Sequence, residues 1–201
     1  MAEAAGALRR WWALAGDLED LPSERDQNVL VRDGRGSPTH VLKIANLIEE
    51  RGFLDCQNEA MARLAGAGVP VQRVVPATDG RDIVDLGEPG PPWARVLTWL
   101  PGRTLASVAD PAPELWAHLG ATMGRSAAAL LDLDHPAAHR NFQWDVQQAG
   151  SVIKRGLASL DDADQLALLT RVLKQVVVDL GPRLPTLRRS AETLVGTRWR
   201  S

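Results

Sequence analysis

Strand-like and helix-like patterns occupy separate parts of this chain. From Gly16 to Leu100 the sequence carries short β-branched or alternating runs separated by Gly and Pro, and after residue 102 apolar residues recur at helical spacings of three and four. Because strands followed by helices form segregated layers, this order predicts an α+β fold rather than alternating βαβ units. The five predicted strands lie near 17–22, 28–32, 40–44, 81–86 and 94–99.

Helical periodicity is clear in four segments. A short Ala-, Leu- and Trp-rich helix is predicted over 2–15, one helix over 53–66 interrupts the strands, and two longer helices follow at 111–131 and 161–181. The second helix places four side chains on one face, namely Leu54, Gln57, Met61 and Leu64. The segment "WLPG" at 99–102 is therefore the predicted boundary between a strand-rich part and a helical part.

Composition excludes several classes of function. The 201 residues carry a formal charge of -2, so no overall basic field indicates a nucleic-acid or anionic-membrane partner. The arginine-rich end of the chain is interpreted as a solvated terminus. No apolar run reaches the length of a membrane span, and one cysteine, Cys56, cannot form an intramolecular disulfide. We therefore predict a cytoplasmic protein with no nucleic-acid and no membrane partner.

Familiar phosphate-binding and metal-binding motifs are missing from the sequence. The glycines of "DGRGSP" at 33–38 lack the spacing of a dinucleotide fingerprint and predict a hairpin turn, and there is no Walker lysine motif, HExxH or paired CxxC. His135 and His139 have helical spacing, but Pro136 marks a helix start between them and no third ligand is evident. Cys56 has no partner histidine and is predicted to be a buried, inert thiol. No metal site is predicted.

Lys43 is the most informative single residue. In "HVLKIAN" the alternation of a strand places Val41 and Lys43 on one face and Leu42 and Ile44 on the other. The simplest interpretation is a lysine on the solvent face of a half-exposed strand. However, a lysine on the third strand, followed by one helix, two strands and a linker, has the order of a protein-kinase-like amino-terminal lobe, where such a lysine binds nucleotide phosphates.

Several stretches together resemble the aminoglycoside phosphotransferase and choline kinase superfamily, and within it the hydroxylysine kinase-like branch. They are "SERDQNVLV", "HVLKIAN", "LDCQNEAMARLAGAGVPV", "RVLTWLPGRTLA" and "LGATMGRSAAALLDLDHPAAHRNFQWDV". The resemblance covers nearly all of 17–185. It implies a nucleotide-binding amino lobe over 1–100 with a five-stranded antiparallel sheet and one helix, and an incomplete helical carboxyl lobe over 101–201.

The resemblance also implies a site and a reaction. A small-molecule kinase of this kind phosphorylates the hydroxyl of an amino alcohol or a hydroxylated amino acid such as hydroxylysine, using ATP or GTP with Mg²⁺. The 23–28 loop then roofs the phosphates, Lys43 binds them, and the linker backbone holds the base. The implied nucleotide-binding residues are Lys43, Gln57, Arg25, Asp26, Gln27, Asn28, Thr98, Trp99 and Leu100.

Two departures from the family pattern qualify this expectation. The position of the glutamate that orients the lysine in many relatives falls on Gln57, and Glu59 lies about 200° further around the helix, so Gln57 is predicted to approach Lys43. The catalytic HxDxxxxN loop and the later metal-binding Asp are absent from the chain. No catalytic residue is therefore assigned, and the metal ligands are expected beyond Ser201.

The missing loop leaves two readings of the chain. The first is the front part of a kinase, shortened by a frameshift, a truncated gene or a clipped chain, and inactive alone. The second is a non-catalytic nucleotide-binding pseudokinase or gene remnant, including a natural short paralogue. In the second reading the chain holds a nucleotide weakly or not at all.

Overall fold

The strands form one antiparallel sheet, as the sequence predicts. The computed structural model describes residues 1–87, 90–140 and 145–186. Its strand order is β1-β2-β3-β6-β4, with β5 also paired to β6. The strands in the described residues are β1 (Asp17–Leu21), β2 (Gln27–Arg32), β3 (Pro38–Ile44), β4 (Val74–Val75), β5 (Val84–Gly87) and β6 (Gly90–Thr98).

The predicted α+β class with an antiparallel sheet is confirmed, but the predicted number of five strands is short by one. The missed strand, β4, has two residues and pairs with Val96 and Leu97 of β6. A two-residue strand is too short to show period-two alternation, so the sequence carries no signal for it. No strand follows residue 98 within the described ranges, which agrees with the segregation of the two patterns.

Five α-helices lie in the part of the chain that the structure describes. They are α1 (Ala2–Trp12), α2 (Arg51–Gly66), α3 (Pro113–Leu130), α4 (Ala149–Leu157) and α5 (Ala163–Gln175). A π-helical turn, Val176–Leu180, continues α5, so the helix predicted over 161–181 is split, and α4 was not predicted. Pro113 at the start of α3 and the side chain of Asp162, which accepts from the Gln165 amide at 2.8 Å, fix two helix starts.

The sheet is covered on one face by α1. Strand alternation directs Val29, Leu42 and Val96 to this face, where they pack with the apolar residues of α1. Those helix residues recur every four positions and so form one stripe: Ala4, Leu8 and Trp12. The Trp12 indole also donates to the Val75 carbonyl at 2.9 Å. The sequence predicted that only the helix at 53–66 packs on the sheet, and this prediction was incomplete because α1 packs on it too.

Helix α2 covers the other face of the sheet. Leu54 packs there with Ala45 and Ile83 in a small core. The opposite side of α2 is covered too, because its remaining apolar residues pack with Leu130 of α3 and with Val69. Those residues are Phe53, Cys56, Ala60 and Leu64. Cys56 is fully buried, as predicted.

The chain divides into two compact units, Met1–Ala138 and His139–Ser190. The first holds the sheet with α1, α2 and α3, and the second holds α4 and α5. The functional lobes expected at 1–100 and 101–201 remain a prediction. Within the described ranges, no helix has the length and apolar character needed to cross a bilayer.

The second unit has little core of its own. None of its residues whose burial is described is buried, although α4 and α5 pack against each other. The most exposed large apolar side chains on it are those of Val177 and Val178, at 58% and 59% exposure. Apolar surface of this kind favours association with another surface.

We therefore predict that the chain self-associates in solution. Light scattering coupled to size exclusion should give a mass above the 21.8 kDa of one chain, and the double variant Val177→Lys, Val178→Lys should lower that mass. The matched control is Ser159→Lys with Gln165→Lys, which adds the same charge at exposed polar positions of this unit. A wild-type chain that elutes as a monomer at all concentrations contradicts the prediction.

Candidate functional site

Three polar side chains form a row across the α2-covered face of the sheet. Asn28 of β2 pairs with Lys43 of β3, and Lys43 pairs with Arg95 of β6. Residues directly opposite each other in antiparallel strands point to the same face, with Cβ atoms roughly 5 Å apart. The fold therefore brings two cations and one amide together on central strands of the sheet.

Lys43 is half-buried and does not have the fully solvated position of the simplest interpretation. Its Nζ donates to Asn28 Oδ1 at 2.9 Å. Both residues were predicted members of the site, and the structure places them side by side. Asn28 thus fixes the position of the ammonium on this face of the sheet.

Arg95 is the site residue that sequence reasoning missed. Its side chain is 4% exposed and donates to three acceptors of α2, the Leu54 carbonyl at 3.2 Å and the side-chain oxygens of Gln57 and Asn58. Its Nε and the Asn58 Nδ2 are buried without a partner in the described structure. Alternation in "WARVLT" places Arg95 on the same face as Leu97, but it does not show that α2 covers this face.

The charge of Arg95 is costly where it lies. Burial lowers the pKa of Arg95 to about 10, and the negative charges of Asp26, Glu49 and Asp55 act in the opposite direction. At neutral pH the guanidinium is still protonated. It is held by amide and carbonyl oxygens, and no carboxylate bonds to it directly within the described residues.

Gln57 faces the sheet, as the helix periodicity predicts. Its side-chain oxygen accepts a hydrogen bond from Arg95. The hydrogen bond expected between Gln57 and Lys43 stays a prediction. Glu59 accepts from Arg63 on the same helix at 2.8 Å. This pairing agrees with the choice of Gln57 over Glu59 as the sheet-facing residue.

The segment predicted to roof the phosphates is tied to the end of β3. Asp26 Oδ1 accepts from the backbone amide of Asn46 at 3.2 Å and from its side-chain amide at 3.1 Å. Arg25 and Gln27 are exposed, and Gln27 already belongs to β2. The bend at 24–26 therefore lies at the same end of the β2–β3 pair as Lys43.

The predicted hinge is partly engaged in the sheet. The Thr98 amide donates to the Arg73 carbonyl and the Trp99 amide to the Thr39 carbonyl, both at 2.8 Å. The Thr98 carbonyl accepts from Gln72 at 3.3 Å. Contact of a base with the Leu100 amide and the Trp99 carbonyl, for which the described structure gives no hydrogen bond, stays a prediction.

A metal site does not fit the described residues. No group of three or more His, Cys, Asp or Glu side chains in ranges 1–87, 90–140 and 145–186 is arranged to hold an ion. His135 Nδ1 accepts from the Ala137 amide at 3.1 Å in a short turn, Pro136–His139, so it supports local structure. Because Mg²⁺ at a nucleotide is usually held by one or two carboxylates together with phosphate oxygens, the ligands of the expected Mg²⁺ stay a prediction.

The comparison with known proteins identifies the family. The sequence profile described as "Phosphotransferase enzyme family" (APH) matches residues 17–194. The chain belongs to this phosphotransferase family. The match agrees with the superfamily named from the sequence, while the hydroxylysine kinase-like branch remains a finer proposal. No curated protein matched the chain.

Two solved structures resemble the fold of this phosphotransferase-family chain. An amicoumacin kinase, solved with AMP-PNP, Ca²⁺ and Ami, has a TM-score of 0.63 at 21% identity, over 92% of this chain and 53% of the other. A microcompartment-associated aminopropanol kinase has a TM-score of 0.57 at 22% identity, over 85% and 54%. These likenesses confirm the protein-kinase-like fold. The chain spans about half the length of each of these proteins.

Proposed function

We propose that this chain provides the nucleotide-binding part of a small-molecule kinase. The acceptor is the hydroxyl group of an amino alcohol or a hydroxylated amino acid, with hydroxylysine as the first candidate, and the donor is ATP or GTP with Mg²⁺. The family match supports phosphoryl transfer as the reaction class. The similar structures, named as an amicoumacin kinase and an aminopropanol kinase, support a small-molecule acceptor.

The observation that carries the proposal is the position of Lys43. It lies on the third strand, opposite both Asn28 and Arg95, and its ammonium donates to Asn28 on the face of the sheet covered by α2. An ammonium at this place attracts a polyphosphate more strongly than a neutral ligand. A lysine on the solvent face of a strand, with no ligand to bind, would not require a half-buried position and a hydrogen bond to Asn28.

Each part of the site then has a task. Lys43 holds the α- and β-phosphates, the bend at 24–26 covers them, and the Leu100 amide with the Trp99 carbonyl contacts the base. When bound, Mg²⁺ neutralises charge on the phosphates. The described residues supply no ligand set for it, so we derive no step through the metal. These roles explain nucleotide binding. They do not explain phosphoryl transfer, because the HxDxxxxN motif is absent from the sequence.

The alternative proposal is a non-catalytic nucleotide-binding protein, either a pseudokinase or the product of a gene remnant. It is favoured by the lack of an HxDxxxxN motif in the sequence. In this alternative the chain holds a nucleotide weakly or not at all and transfers no phosphate. Nucleotide binding is therefore the first measurement.

Lys43→Ala should weaken the binding of AMP-PNP by roughly 10- to 100-fold, the loss expected for one hydrogen bond to a charged group. Isothermal titration calorimetry, run with AMP-PNP and with a non-hydrolysable GTP analogue, measures the dissociation constants. The midpoint of thermal unfolding should change little, because Lys43 is only half-buried.

Lys154→Ala is the matched control. It removes the same charge from an exposed position on α4 and should leave the dissociation constant unchanged. If the wild-type chain binds neither nucleotide at millimolar concentration, the nucleotide-binding proposal fails. Equal affinities of the wild type and Lys43→Ala would remove Lys43 from the site.

A further inference from the structure

Arg95 and Lys43 are like charges placed directly opposite each other. They form a cross-strand pair between β3 and β6, an arrangement that destabilises a sheet unless other groups separate the charges. Lys43 is bonded to Asn28 on one side, and Arg95 is bonded to α2 on the other. The two side chains are thus held by different elements of the fold.

The acceptors of Arg95 occupy one turn of α2. Leu54, Gln57 and Asn58 are spaced by three and four residues, so they share the face of the helix above the sheet. A guanidinium carries several donors in a fixed fork and can engage all three acceptors, whereas an ammonium is a single point. Arg95 therefore occupies the amide oxygens nearest to the row of polar side chains.

We propose that Arg95 is a positioning residue for Lys43. By occupying the Gln57 and Asn58 oxygens and repelling the ammonium, it directs Lys43 toward Asn28 and the phosphate-binding side of the sheet. This inference rests on the proposed nucleotide-binding function. In this chain an arginine on β6 binds two neutral amides of α2, and Lys43 is directed to the Asn28 side of the same sheet face.

The first test is a double-mutant cycle on nucleotide affinity. Arg95→Met removes the charge at similar volume and should weaken AMP-PNP binding by about tenfold, because Lys43 is then captured by the vacated amide oxygens. Adding Arg95→Met to Lys43→Ala should cause no further loss, since Arg95 acts through Lys43. Arg95→Lys keeps the charge but cannot engage all three acceptors, so it should lose less affinity than Arg95→Met. Additive losses would overturn the inference.

The second test needs no nucleotide. The chain has three lysines, Lys43, Lys154 and Lys174, so the acetylation rate of each is separable by peptide mass spectrometry. In Arg95→Met the acetylation rate of Lys43, relative to the rates of the other two lysines, should fall at least about threefold. The like charge of Arg95 no longer disfavours the protonated ammonium, and the vacated amide oxygens hydrogen-bond it, so less unprotonated amine is available to react. An unchanged or faster relative rate would overturn the inference.

Asn58→Asp keeps the test decisive if Arg95→Met does not fold. The new carboxylate should pair with the Arg95 guanidinium and leave both the AMP-PNP affinity and the labelling of Lys43 within about twofold of wild type. A severalfold fall in Lys43 labelling would show that the carboxylate has captured Lys43, and the inference would be wrong.

The two proposals fail in distinguishable ways. A wild-type chain that binds no nucleotide but shows slower Lys43 labelling in Arg95→Met overturns the proposed function and supports the placement of Lys43 by Arg95. A chain that binds AMP-PNP, with additive losses in the cycle, supports the proposed function and overturns the role of Arg95.

Discussion

The purified chain is expected to transfer no phosphate to hydroxylysine, choline or ethanolamine from ATP or GTP. Phosphoryl transfer depends on positioning and charge neutralisation, and the groups that supply them in this family, the HxDxxxxN loop and a later Asp, are absent from the sequence. Their loss removes several orders of magnitude in rate. Mass spectrometry of the acceptor after prolonged incubation with Mg²⁺ measures the product.

The control reaction uses an aminopropanol kinase with aminopropanol in the same buffer, which shows that the assay detects a phosphorylated amino alcohol. Product formation by this chain above the rate without protein, abolished by Lys43→Ala, would contradict the prediction. It would also mean that side chains other than the family motif assist the transfer. We expect the chain to bind the nucleotide and to transfer no phosphate to the acceptor.

Leu42→Ala should destabilise the protein strongly, although its neighbour Lys43→Ala should not. Leu42 is fully buried among α1 and the sheet, and truncating such a side chain costs about 2–5 kcal/mol of the free energy of unfolding. This is a large part of the roughly 5–15 kcal/mol available to a domain. Urea denaturation followed by tryptophan fluorescence measures the change.

Leu47→Ala is the matched control, because Leu47 is 70% exposed and its truncation should change the free energy of unfolding by less than about 0.5 kcal/mol. Similar small effects for Leu42→Ala and Leu47→Ala would mean that the face of β3 turned to α1 has been misassigned. The assignment of Lys43 to the opposite face would fail with it.

Period-two alternation explains how much of the fold was predictable. It located β2, β3 and β6 to within a few residues and assigned Leu42 and Lys43 to opposite faces, because each of these strands is long enough to show a pattern. The two-residue strand β4 is too short for any periodicity, whereas the nine-residue helix α4 was overlooked although Ile153 and Leu157 have helical spacing. Helix α1 was predicted as a helix. Its position on the sheet was not predicted, because that position depends on contacts between residues far apart in the sequence.

The candidate site was predictable only in part. Lys43, Asn28 and Gln57 follow from local pattern and resemblance, and the structure places all three on the sheet face covered by α2. Arg95 was overlooked because a cation in a strand is ordinarily solvent-facing, and its burial depends on where α2 crosses the sheet. Whether Gln57 bonds to Lys43 or to Arg95 likewise depends on where α2 lies over β3 and β6, and helix spacing alone does not define that position.

The double hydrogen bond between Asp26 and Asn46 has a consequence for the thermodynamics of ligand capture. It links two segments 20 residues apart in sequence, so the bend that we propose to cover the phosphates is already ordered before any anion arrives. A loop that is fixed in advance loses little conformational entropy when it closes over a ligand. In the proposed nucleotide complex, more of the electrostatic attraction between the phosphates and Lys43 would then be retained as affinity.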